Sequence, residues 1–62
     1  MFIVDIIREN DRIAGYRVAN DRITQVMSRK KVIEAIERNR IKNAKLQYYK
    51  DGRVKIIVNK VR

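Results

Sequence analysis

Few side chains in this chain could do covalent chemistry. It contains no His and no Cys, which removes the commonest general base and metal ligand and any thiolate site. The hydroxyls left as nucleophiles are Ser28 and Thr24, and Ser28 is accounted for as a helix cap. Glu34 and Glu37 have Lys and Arg beside them, so they read as a solvated helix face and not as an acid/base pair. No Gly-rich loop precedes the helix, so a phosphate cradle is not indicated. The expectation is a protein that is not an enzyme and holds no metal or organic cofactor.

What the chain offers instead is positive charge, +9 over 62 residues. Its placement is more telling than its size. In residues 1–27, Arg8, Arg12, Arg17 and Arg22 are cancelled by Asp5, Glu9, Asp11 and Asp21. In residues 28–62, twelve Lys and Arg stand against Glu34, Glu37 and Asp51, so the whole surplus lies there. That asymmetry points to an anionic partner. Equally, a small domain uses Lys and Arg to stay soluble, because net charge speaks of association and not of target.

The segment that must organise the surplus is Ser28–Leu46, which alone carries a helix pattern. Ser28 can accept from a free N–H of the first turn, although Lys31 stands where a capping-box Glu would be. At 100° per residue, Val32, Ile33, Ala35 and Ile36 share one arc, with Lys30, Lys31, Glu34, Glu37 and Arg38 opposite. Asn39 is the expected stop, since it tolerates the left-handed conformation.

Everything else reads as strand. Turn signals at Asn10-Asp11, Asn20-Asp21 and Asp51-Gly52 lie between apolar runs, as hairpins require. Phe2, Val4 and Ile6 share a face with Ala14, Tyr16 and Val18 if the first loop has odd length, such as Glu9-Asn10-Asp11. A two-residue Asn20-Asp21 loop would pair Val18 with Ile23 and Ala14 with Met27, leaving Gln25 inward opposite Tyr16. For the last hairpin, a Lys50-Asp51-Gly52 loop with Gly52 left-handed pairs Leu46 with Ile56 and Tyr48 with Val54. Ala44, Leu46, Tyr48, Val54, Ile56 and Val58 then form one apolar face, whereas a one-residue slip would bring Lys55 inward. The expected fold is α+β, in the order β-β-β-α-β-β, an antiparallel sheet with one helix packed on one face.

The same registers leave Lys45, Gln47, Tyr49, Arg53, Lys55 and Ile57 facing away from the helix. Lys and Arg can pair with phosphates and a Tyr ring can stack on a base. The expected nucleic-acid contacts are Lys45, Tyr49, Arg53, Lys55 and Lys60, with Arg40 and Lys42 at the helix exit. The bland reading of that face is the solvated side of an antiparallel sheet. Ile3, Ile7, Ile13 and Ile57 also point outward under these registers. A homodimer or a protein partner on the open face is therefore the competing expectation.

No Pro and no low-complexity stretch leave room for a linker, so residues 1–62 read as a single domain. The opening Phe2-Ile3-Val4-Asp5-Ile6-Ile7 is too short and too soon charged for a signal peptide or a membrane span. The expectation is a cytoplasmic protein with no membrane partner. Gly15-Tyr16-Arg17-Val18, Val32-Ile33-Glu34-Ala35-Ile36 and Ile41-Lys42-Asn43-Ala44-Lys45-Leu46, followed by Asp51-Gly52, resemble a pattern of small proteins from Gram-positive bacteria, their phages and mobile elements. There a strand meander leads into a helix and a closing strand or hairpin. The resemblance departs at Asn39, where Gly is usual, and in the added N-terminal strand and many basic residues. It implies this fold and a phage or mobile-element context, and no functional residue.

Overall fold

Ser28 opens the helix as its residue type suggests. The computed structural model, which describes residues 1–59, gives it an extended backbone, and its hydroxyl accepts from Lys31 N–H at 3.4 Å. Helix α1 runs Arg29–Glu37. It ends as expected at Asn39, whose φ is +57°. Asn39 N–H donates to Ile36 C=O and Arg40 N–H to Ala35 C=O, both at 3.0 Å, the paired bonds of a Schellman ending. The apolar arc does dock. Val32 is fully buried, with Ala35 and Ile36 packed against the core.

The element order is β1 Ile3–Glu9, β2 Arg12–Ala19, β3 Thr24–Met27, α1, β4 Ala44–Tyr48 and β5 Val54–Val58. This is the expected α+β order. The antiparallel strands divide into a three-stranded sheet, β1-β2-β3, and the separate β4-β5 hairpin. Their common core is Val4, Tyr16, Val18, Val32 and Ile41. Ile36→Ala removes three carbons from a half-buried site, so we expect a loss of about 2 kcal/mol, the low end for such truncations. An unshifted urea midpoint would mean that α1 is not docked through this arc.

The two sheets are joined by the segment between α1 and β4. Phe2 N–H donates to Arg40 C=O and Lys42 N–H to Phe2 C=O, each at 2.8 Å, in a short parallel bridge. One residue pair further on, a side chain continues the ladder. The buried Asn43 accepts from Val4 N–H through Oδ1 at 2.9 Å. Its Nδ2 donates to Val4 C=O at 2.9 Å and to Asn59 C=O at 2.8 Å. A primary amide has the same donor and acceptor pair as a peptide group, so it can stand in for a strand residue.

Two registers differ from expectation. In β1–β2 the core pairs are Val4↔Val18 and Ile6↔Tyr16, so the required parity is met. The device is a two-residue loop, Asn10-Asp11, with φ of +51° and +62°, plus a register shift between Ile7 and Arg8. The pairing passes from Gly15 to Ile13, leaving Ala14 as the extra, exposed residue and not a core one. The bulge also turns Ile13 to the side of Tyr16, not outward with Ile3. In β2–β3 the pairs are Tyr16↔Met27 and Val18↔Gln25, two residues from the expected register. Asn20 is the cause. Its Oδ1 accepts from both Arg22 and Ile23 N–H at 2.9 Å, wrapping a four-residue loop about itself. Ile23 is consequently exposed, and Gln25 lies on the sheet's free edge.

The β4–β5 hairpin has the expected register, Leu46↔Ile56 and Tyr48↔Val54. Tyr49 N–H donates to Arg53 C=O and Gly52 N–H to Tyr49 C=O, which closes the Lys50-Asp51-Gly52 loop. Gly52 has φ of +91° with open space around it. Gly52→Ala should therefore cost about 1 kcal/mol through the backbone alone, read as a melting shift with no change in the pairing pattern. Tyr48 is the exception on the inner face. It sits at the end of β4, 63% exposed, and Ile57 on the opposite face is half-buried.

Candidate nucleic-acid interface

With the hairpin register in place, strand alternation sets Lys45, Gln47 and Tyr49 beside Ile57, Lys55 and Arg53 on one face. The aromatic centre of that face is built locally. The tight loop brings Arg53 directly across from Tyr49, and the guanidinium carbon lies 5.5 Å from the ring centroid, within cation–π range. Asp51 holds Arg53 there, its Oδ2 accepting from Nε at 2.6 Å and its Oδ1 from the Arg53 backbone N–H at 3.1 Å. Asp51 thus neutralises one cation while fixing its plane. The ion pair is exposed and serves geometry more than stability.

Tyr49, Arg53 and Lys55 also border a cleft of about 420 Å³ between the hairpin and the β2 strand, with Ile13, Tyr16 and Ile56 as its apolar lining. Arg29 completes it. Its guanidinium donates to the carbonyl of Val54. Arg29 was not singled out by its sequence pattern, and the available signal was electrostatic. Arg29, Lys30 and Lys31 crowd the positive end of the helix macrodipole with no acidic residue in the first turn, an arrangement unfavourable by a few tenths of a kcal/mol each.

The other expected contacts are dispersed. Lys45 is exposed on the same hairpin face, two pairs further from the loop than Lys55's partner Gln47 along the register Lys45↔Ile57 and Gln47↔Lys55. Lys42 is exposed in the seam. Arg40 borders a different groove, shared with Phe2, Met27 and Arg38. Lys60 lies outside the described residues. The structure therefore gathers Tyr49, Arg53 and Lys55 into one site and leaves Arg40 and Lys42 apart from it.

Among the described residues, no helix is long and apolar enough to cross a membrane. Comparison with protein-family models, with curated proteins and with solved structures returns no significant match.

Proposed function

We propose that this chain is a non-catalytic, cytoplasmic accessory protein that binds nucleic acid through the β4–β5 hairpin, in the phage or mobile-element setting its sequence pattern suggests. The observation that carries the reading is the Arg53–Tyr49 stack beside Lys55 and Lys45 on one exposed face. A guanidinium plane and a phenol ring held together form a platform for an unstacked base, and the flanking ammonium groups meet the phosphates. Asp51 supports the same reading, because its ion pair is with Arg53, and among the described residues no ion pair forms to Lys45 or Lys55. Single strands suit this site better than duplex, whose bases are already stacked.

The test is a titration with a labelled single strand and a labelled duplex at two salt concentrations. Binding that falls steeply with salt is expected. Tyr49→Ala should weaken the single strand by roughly 1–3 kcal/mol, as for one lost base stack, and the duplex much less. No affinity for either, with a mass that rises with concentration, would instead favour a homodimer through the open sheet face, where Ile3 and Val26 are exposed.

A further inference from the structure

In a chain where 37% of residues are charged, the longest uncharged run is Ile23–Ser28. Four of its residues are β3, the free edge of the three-stranded sheet. Edge strands in water are ordinarily blunted by charge, Pro or a bulge. This one has no charge and no Pro, and its pairing with β2 is regular. Val26 is 70% exposed and Ile23 45%.

Among the described residues, the backbone of that edge is open as well. Phe2 and Val4 turn their peptide groups toward the seam, so antiparallel alternation commits Ile3 and Asp5 to Ala19 and Arg17. Thr24 and Val26 lie opposite Ala19 and Arg17, whose groups are thereby taken. Their own N–H and C=O point off the sheet. The Asn20 N–H to Ile23 C=O bond at 2.9 Å sets the same phase.

Alongside the edge runs a groove of about 350 Å³ between β3 and α1. Ile23 and Met27 form one wall, and Phe2 and Ala35 give an apolar floor. On the helix side the rim carries Lys31, Arg38 and Arg40 against Glu34, a surplus of positive charge.

We propose that β3 is a strand-addition site for an extended, acidic segment of a partner protein. The segment would take the hydrogen bonds offered by Thr24 and Val26 and lie one strand spacing outside them, about 4.8 Å away. Its side chains then alternate between two environments. Those on the groove side lay aliphatic stems on Phe2 and Ala35 and bring carboxylates to Lys31 and Arg38. Those on the other side pack beside Val26 and are apolar. A second copy of this chain fits less well, since it would bring +9 against +9 and cationic rim against cationic rim. The site uses none of the hairpin residues Lys45, Tyr49, Arg53 and Lys55, so it stands or falls apart from nucleic-acid binding.

The probe is a fluorescein-labelled peptide of alternating Glu and Val, roughly eight residues long, within ordinary strand length. It is titrated into the isotope-labelled 62-residue chain, with a Lys–Val peptide of equal length as comparison. Saturable binding of the acidic peptide alone, with the amide signals of Thr24 and Val26 moving most, is expected. Val26→Pro deletes an N–H that strand alternation points off the sheet, and should weaken the peptide at least about tenfold. Should that variant unfold, Val26→Glu, which sets a like charge against the acidic peptide without touching the backbone, should still do so. Lys31→Glu with Arg38→Glu should reverse the preference toward the Lys–Val peptide. Equal binding of the two peptides, binding of neither, or unmoved Thr24 and Val26 amides would overturn the proposal. So would a peptide-free protein whose mass doubles with concentration as those amides shift, which would make a second copy the occupant.

Discussion

Asn43→Ala is expected to destabilise the fold by about 4 kcal/mol. The reasoning is local. Val4 is fully buried, and among the described residues its N–H and C=O on that edge of β1 pair with the Asn43 amide alone. Truncation leaves both groups dry and unpaired, at about 1–3 kcal/mol each. Asn59 is exposed, so water can replace the third bond. A domain of this size has only about 3–9 kcal/mol in hand, so a loss of about 4 kcal/mol is at least two fifths of the stability. Urea denaturation of the variant reads the loss directly, and a midpoint unchanged within about 1 kcal/mol would show that the seam is not held this way. Asn43→Asp sharpens the test. The carboxylate still accepts from Val4 N–H but faces two carbonyls in place of donating to them. It should be at least as damaging at neutral pH. Burial favours the neutral acid, so the folded-state pKa of that Asp lies above its unfolded value. The stabilising contribution is then present at acid pH and lost as pH rises through the folded value.

That residue also marks where the sequence was least legible. Asn43 sits in a short segment between helix and strand, where Asn is ordinarily a turn residue. Nothing local distinguishes an amide that turns a loop from one that completes a ladder across two sheets. The distinction depends on Val4, thirty-nine positions away. The helix was legible because its signals are local, a Ser cap, an apolar arc and an Asn stop. The β4–β5 hairpin was legible for a different reason. Only one loop length keeps six apolar residues together, so Asp51-Gly52 had one consistent reading. The first hairpin allowed two solutions of equal parity. An odd loop and a two-residue loop with one bulge both bring Val4 and Tyr16 to the core, and Ala14 is too small for its placement to decide between them. Two adjacent left-handed positions, Asn10 and Asp11, favour the second, since a type I′ turn needs both.

The candidate site was legible in the same proportion. Tyr49, Arg53 and Lys55 come together because hairpin register alone aligns them. Arg40, placed by the helix ending and the seam, went elsewhere, because its direction depends on how Phe2 docks beside it. Arg29 joined the cleft through a bond to the carbonyl of Val54, a contact between elements that no pattern within either one announces.

Lys45→Glu combined with Lys55→Glu should lower single-strand affinity by roughly a hundredfold at low salt, about 2.7 kcal/mol. Both side chains are exposed and take no part in the core, so folding should be unaffected and the loss can be read as electrostatics. Each Lys removed from a phosphate subtracts about 0.7 from the slope of log K against log salt for a single strand. The double variant should accordingly be flatter by about 1.4, and the gap between variant and parent should narrow as salt rises. Arg53→Glu is the informative contrast. It also dismantles the stack on Tyr49 and sets a carboxylate against Asp51, so its defect should persist at high salt where the double variant's fades. A double variant that folds and binds at full strength would leave the hairpin register standing and remove the hairpin from the interface.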